Sequence, residues 1–488
     1  MILLDKIAIA LYSPKHLVLL LCHIHASRAQ RYFRSESPLT ACVFDVLSVS
    51  VVSCRYRKDA NFQCICTQIE QGRNHLILSE LGLIPCYTGG LGGPSSVQDV
   101  YILSAVRTPI GKFGGKLASF TSPDLGVVAA QAALQKAEVD ASQVEETIFG
   151  SARQAGNGPN PARQISVRSG IPKESPAYTV NQACASGMKA IALGFQEIAF
   201  GNMDCVLAGG TESMSRVPYY LDGGRWGYRL GNQELVDGMY RDGFLCKICN
   251  MVMGETAEIL AEQYKIGREE QDQFALRSQQ KAETAIKAGR FSDEIAPVTI
   301  KGKKGDEVFA QDEHPFLGAT LEKMAKLAPV FSKTGSVTAA NSSGITDGAA
   351  AIVVAGDTFV KKNGLKPLAR IIAATSAGVD PKTMGIGPVP AMAKLEKKTG
   401  IKLSDYDLVE LNEAFAAQVI ACDRELHFDP EKLNVNGGAI ALGHPIGCTG
   451  ARISVTLLHE MLKRKAQRGA ATLCVSGGMG MALALERV

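Results

Sequence analysis

The stretch VNQACASGMKAIALGFQEIAFG, residues 180–201, sets a cysteine among small residues just ahead of a helical pattern. A thiolate at Cys184 would face the positive end of that helix. The dipole is worth at most ~2 kcal/mol, about 1.5 pKa units, so a thiol of ordinary pKa stays only marginally ionised. A nucleophilic role therefore needs a base. His444, in NVNGGAIALGHPIGCTGAR, is available, with five glycines (437, 438, 443, 447 and 450) around it. Such density lets backbone approach a ligand closely. Two more places stand out: Asn412-Glu413 in LVELNEAFAAQ, where an apolar strand ends, and Cys474 in TLCVSGGMG, at the end of another. Strand ends of this kind are where α/β sites form. Taken singly, each residue also reads as packing or as a turn.

The elements that must position these residues alternate from Val97 onward, as in α/β folds. DVYILSAV and VEETIFGSA read as strands, and SPDLGVVAAQAALQKAEV as a helix that Ser122 or Asp124 can cap. GMKAIALGFQEIAFG reads as a helix, and MDCVLAGGTESMS as a buried strand running into a Gly-Gly turn. The order recurs in YDLVELNEA, CTGARISVTLLHEMLKRK and ATLCVSGGMGMALALER, which suggests two related α/β halves. Between them, roughly 213–345 is polar and Gly-rich, with helical patterns at GETAEILAEQYKI and GREEQDQFALRSQQKAETAIKAG. A long insertion of this sort is usually functional and reads as a lid or substrate-binding subdomain.

The 488 residues are 46% hydrophobic and 20% charged with 49 glycines, enough apolar material for two or three packed units. A net charge of +4 is too slight to argue for nucleic acid or an anionic membrane, and no apolar run reaches the ~18 residues that span a bilayer. Of 13 cysteines, six lie in the first 96 residues, with no small secreted scaffold around the rest, so they read as reduced thiols of an intracellular protein. Residues 1–96 show neither a helical period nor sustained alternation and are expected to be disordered or without function. Lys6, Lys15, Arg28, Arg31 and Arg34 leave a targeting segment open, against which Asp5 and poor serine content speak.

Together, NQACASGMKAI, AGGTESMS, NSSGITDGAAA, LNEAFAAQ, NGGAIALGHPIGCTGAR and CVSGGMGMA, in this order, resemble the thiolase family, especially its acetyl-CoA acetyltransferases. The resemblance covers residues 97–488. It implies a thiolase fold: two similar α/β core domains (97–212 plus 346–366, and 367–488) in a layered helix–sheet arrangement, with an inserted loop domain at 213–345 that binds CoA. It implies that Cys184 becomes acylated, that His444 takes its proton, and that Cys474 exchanges the proton on the α-carbon. Asn412 resembles the asparagine whose water, with His444, forms an oxyanion hole. A second hole uses backbone N–H groups at the nucleophile and at Ser476, where many relatives have glycine. Ser343, Phe331, Met384 and Phe415 resemble residues lining the pantetheine channel, as does Met253. Many short-chain relatives have His-Met-Gly where this chain has Val252-Met253-Gly254, which puts acyl-chain preference in doubt.

The expected activity is the reversible condensation of two acetyl-CoA to acetoacetyl-CoA and CoA; a degradative 3-ketoacyl-CoA thiolase and a non-catalytic acyl-binding protein are the alternatives. CoA enters as substrate and product, with no tightly bound cofactor and no metal. Cys246-x-x-Cys249 reads as loop thiols, because one CxxC without a second ligand pair is weak evidence for zinc. Expected partners are acyl-CoA small molecules, with neither nucleic acid nor membrane, and a second copy or three in a homodimer or homotetramer. The expected compartment is cytoplasmic, or mitochondrial if the N-terminal extension is a transit segment.

Overall fold

The computed structural model describes residues 98–488 and, before them, the backbone of four strands. These are Lys6–Ser13, His16–His23, Ser48–Tyr56 and Phe62–Glu70, each antiparallel to the next. Short apolar runs such as LVLLLC suit a paired strand without a clean alternation. The rest of residues 1–97 lies outside the described residues.

From Val100 onward the chain builds one large sheet. Its main strands are β1 (Val100–Arg107), β2 (Glu146–Gly150), β3 (Ala177–Val180), β4 (Cys205–Ser213), β5 (Thr346–Gly356), β6 (Ala369–Gly378), β7 (Leu408–Leu411), β8 (Arg468–Val475) and β9 (Met479–Arg487), with the short Gly111–Lys112 pairing onto β5 as a tenth. They lie in the order β7-β8-β9-β6-β1-β5-β4-β2-β3. The duplication expected from sequence is visible in the pairing. In each half a parallel pair (β2 with β4, β7 with β8) continues into an antiparallel one (β4 with β5, β8 with β9). The halves join where β1 meets β6 through Ile102↔Ala369 and Tyr101↔Arg370.

Successive strand residues point to opposite faces, and both faces are covered, so the strands read as unbroken apolar runs. On β5, Ala350, Ile352 and Val354 face the central core, while Ala351, Val353 and Ala355 pack with helix α1 (Ser122–Ala137). On β9, Met481, Leu483 and Leu485 face the same central core, while Ala482 and Ala484 pack with the helix over Pro388–Thr399. The central core is filled by α2 (Ser186–Ala199) and α3 (Ile446–Arg464). The layers therefore run helix, one half of the sheet, helices, the other half, helix.

The two central helices touch through glycines. A Cβ on Gly450 would stand 2.5 Å from Met188 N, and one on Gly187 2.8 Å from Ala451 N. On β4, a Cβ at Gly210 would stand 2.3 Å from Gly447 O. Gly209 and Gly210 are thus strand residues that admit other backbone, and the expected Gly-Gly turn exists only at Gly477-Gly478, between β8 and β9. The cap of α1 also differs from expectation: Thr121 accepts from Asp124 N, and Asp124 accepts from Thr121 N in a capping box.

Residues 214–345, between β4 and β5, hold short hairpins, among them Leu245–Cys246 with Met251–Val252, and the two helices predicted there, Met253–Gln263 and Arg268–Lys287. Among the described residues no helix is long and apolar enough to cross a membrane.

Candidate active site

Cys184 sits in a single 3₁₀ turn, Ala183–Ala185, wedged between β3 and the first residue of α2. Ala183 has φ 45°, a left-handed conformation that costs a residue with a Cβ about 1–3 kcal/mol. Its neighbours hold it: Ala183 N donates to Asn181 Oδ1 (2.9 Å), and the Ser186 hydroxyl accepts from Gln182 N (2.9 Å) and donates to Ala183 O (2.6 Å). The strained turn points the thiol inward, where burial pushes its pKa up. The N–H of Ser476 and the charge of Arg153 pull the other way but do not overcome burial. The favourable helix terminus expected from sequence is therefore outweighed.

His444 follows Gly443, whose φ of 100° and lack of a Cβ let the chain pass Thr346. Its N–H donates to Gly344 O (3.0 Å), and its ring is buried, with Nδ1 2.6 Å from Thr449 Oγ1. Burial lowers its pKa to about 3, and Arg452 and Arg153 add to the effect. Two buried neutral groups, a thiol and an imidazole, thus face the cavity rather than a preformed ion pair.

Cys474 is fully buried near the end of β8. Burial raises its pKa well above the ordinary thiol value, and the nearby Cys184 adds to the shift. Asn412 follows β7; its N–H donates to Thr472 O (3.0 Å), while neither atom of its buried side-chain amide has a protein partner. An unpaired buried amide is costly, and a bound water would satisfy it. Beside it, the Glu413 carboxylate accepts from Ser278 Oγ (2.6 Å), Asn434 Nδ2 (2.9 Å) and Ile440 N (3.2 Å), pinning the strand end.

One cavity of about 410 Å³ is lined by Cys184, His444 and Cys474 together with Ser343, Phe331, Met253, Met384 and Phe415. Eight of the nine residues singled out in the sequence meet there; Asn412 is not part of its lining. Phe331 and Phe415 pack edge to face, centroids 6.1 Å apart, and Gly254 lies against the Phe331 ring, where a Cβ would stand 2.2 Å away. Cys246 and Cys249 are free thiols of a hairpin, and among the described residues no group of three or more His, Cys, Asp or Glu could hold a metal.

Three residues escaped the sequence reading. Glu212 is fully buried and accepts from Ala152 N (3.0 Å), Arg153 N (3.0 Å) and Gly447 N (2.8 Å), tying the end of β2 to the start of α3. A carboxylate inside the apolar run of β4 was the available signal, since such groups are buried only when satisfied. His314 lines the cavity and donates Nδ1–H to Ala441 O (2.8 Å). Arg153 lines it too, from a loop whose sequence carries no such signal.

Residues 100–358 match the family description "Thiolase, N-terminal domain" and residues 365–487 "Thiolase, C-terminal domain". The chain is 52% identical to the acetyl-CoA acetyltransferase of Cupriavidus necator over 392 residues, 80% of this chain and all of that protein. It is 50% identical to that of Escherichia coli over 393 residues, again 80% of this chain and all of the relative. The crystal structure of the Bacillus anthracis acetyl-CoA acetyltransferase superposes with a TM-score of 0.79 at 47% identity, over 80% of this chain and 100% of that one. Human mitochondrial 3-ketoacyl-CoA thiolase in complex with CoA gives 0.78 at 44% identity, over 80% and 98%. With both domains matched and the layered fold shared, the chain belongs to the thiolase family of acyltransferases.

Proposed function

We propose that this chain is an acetyl-CoA C-acetyltransferase that joins two acetyl-CoA reversibly into acetoacetyl-CoA and CoA. The observation that carries the reading is the convergence of Cys184, His444 and Cys474 on one cavity, each supplied by a different motif. Names of relatives at about 50% identity support the same substrate.

In the first half-reaction Cys184 Sγ attacks the thioester carbonyl as His444 takes the thiol proton. The C–S bond to CoA then breaks, and the proton leaves on the CoA thiol. Because burial favours the neutral thiol and the neutral imidazole, proton transfer accompanies attack instead of preceding it. In the second, His444, neutral again after giving its proton to CoA, takes the Cys474 thiol proton, and the Cys474 sulfur takes a proton from the methyl of a second acetyl-CoA. The resulting enolate forms the new C–C bond with the acetyl carbon on Cys184, the Cys184–carbon bond breaks, and the Cys184 sulfur receives the proton held by His444. Donors for the enolate charge are worth ~3–4 kcal/mol each, and the unpaired Asn412 amide holding a water supplies one of them, with His444. Burial keeps Cys474 protonated at rest, the form that can protonate a leaving enolate during cleavage.

Incubation with acetyl-CoA, followed by intact-protein mass spectrometry, tests the assignment: one acetyl group should reside on Cys184. No increment, or an increment elsewhere, overturns it. Chain-length preference is read from thiolysis of acetoacetyl-CoA against a ten-carbon 3-ketoacyl-CoA. β3 ends the sheet with one ladder edge unpaired among the described residues, which supports self-association as a dimer or tetramer. Sedimentation measures that directly.

A further inference from the structure

Arg153 stands three residues past the end of β2, with 6% of its surface exposed. Its side chain lies across Gly243, where a Cβ would stand 2.4 Å from Nε and 2.6 Å from Nη2. The guanidinium and that glycine therefore occupy space made for each other. Arg153 walls the catalytic cavity together with Cys184, Tyr240 and His444. It also walls a second cavity of about 440 Å³, shared with Gln154, Asn181, Arg241 and Lys247.

Its Nε is buried without a hydrogen-bond partner. The charged groups around it are already engaged or repulsive. Glu212 attracts the guanidinium charge but its oxygens are taken by backbone N–H groups, Asp242 accepts from the Tyr220 hydroxyl (2.5 Å), Arg241 is held by Asp222 (2.6 Å), and Lys247 is a further cation. A buried guanidinium with unused donors is costly until something planar and anionic completes it, and a carboxylate matches its fork.

We propose that Arg153 is a specificity residue that receives a carboxylate at the far end of the acyl group, so that the site takes short acyl-CoA thioesters ending in a carboxylate. This rests on the acylation of Cys184 proposed above. The acyl carbon would bond to Cys184 Sγ as its bond to the CoA sulfur breaks, and the thiol proton would leave on CoA through His444. The distal carboxylate would then lie against the guanidinium, at the wall between the two cavities.

The test compares initial rates of acylation of the full chain by succinyl-CoA and butyryl-CoA, acyl groups of equal carbon number, with acetyl-CoA run alongside. A charge-assisted hydrogen bond makes the expected preference for succinyl about ten-fold or more. Arg153→Leu should remove the preference, and Arg153→Lys should restore part of it. If butyryl-CoA reacts as fast as succinyl-CoA while acetyl-CoA acylates Cys184 normally, the inference is overturned and the acetyltransferase reading stands. If acetyl-CoA itself leaves no acyl group on Cys184, both fall. An Arg153→Leu protein that keeps the full succinyl preference also overturns the inference. The wild-type comparison stands alone if that variant does not fold.

Discussion

His444 Nδ1 lies 2.6 Å from Thr449 Oγ1, and that hydroxyl lies 2.9 Å from Pro445 O. A carbonyl can only accept, so the hydroxyl donates to Pro445 and receives from the ring. Nδ1 therefore carries the proton and Nε2 is the bare, basic nitrogen. Replacing Thr449 by Val frees the ring to adopt the other tautomer, and the acylation rate should fall roughly 10–100-fold with little change in KM. Single-turnover acylation measures this.

The pH dependence follows from the same ring. Its pKa is lowered to about 3, so the neutral base persists as pH falls through the ordinary imidazole value. Acylation should show no loss centred near pH 6.5, and its acid limb should lie well below that. A limb at the ordinary value, in a protein still folded by circular dichroism, would contradict the neutral buried base.

The two active thiols should separate experimentally. Cys184→Ser should abolish the acyl-enzyme and turnover. Cys474→Ala should leave Cys184 acylation measurable while α-proton exchange and condensation fall about 10²–10⁴-fold, the range for removing one positioned acid–base group. Deuterium wash-in at the acetyl methyl and the mass of the acyl-enzyme report the two steps independently.

Asn412→Ala removes a side-chain amide that makes no hydrogen bond to the protein, so its loss should weaken the transition state more than the fold. A fall of about 10²–10³ in kcat with KM nearly constant is expected. A comparable rise in KM without a fall in kcat would assign it to binding instead.

Glu212→Gln keeps the shape but turns one acceptor into a donor against N–H groups of Ala152, Arg153 and Gly447. A loss of about 2–3 kcal/mol in stability is expected, measured by denaturant midpoint, together with slower acylation because the His444 segment loses its tie to β2.

Much of the site could be read from local chemistry. Cys184, His444 and Cys474 stand in short glycine-bearing motifs, and the apolar runs around them fixed strands and helices by length and period. What could not be read lies in contacts between distant segments. The thiol at 184 reads as favourably placed from its helix alone, yet burial among residues from both halves reverses the sign. The Gly-Gly pairs look alike in sequence, but Gly210 admits a neighbouring helix and Gly209 the Phe149 ring, while 477–478 turns a hairpin. Arg153 gains its meaning only from Gly243, ninety residues away in the chain.

The glycine crossing of α2 and α3 sets backbone against backbone, whereas only two residue pairs stitch β1 to β6. A seam where backbone stands this close to backbone has little slack, and sliding or rotating the halves would bring the two helices into collision. The segment between β4 and β5 lies outside that seam and supplies Tyr240, Phe244, Met253 and Phe331 to the cavity wall. Cys184, His444 and Cys474 meet the same cavity from the two halves that the seam locks together.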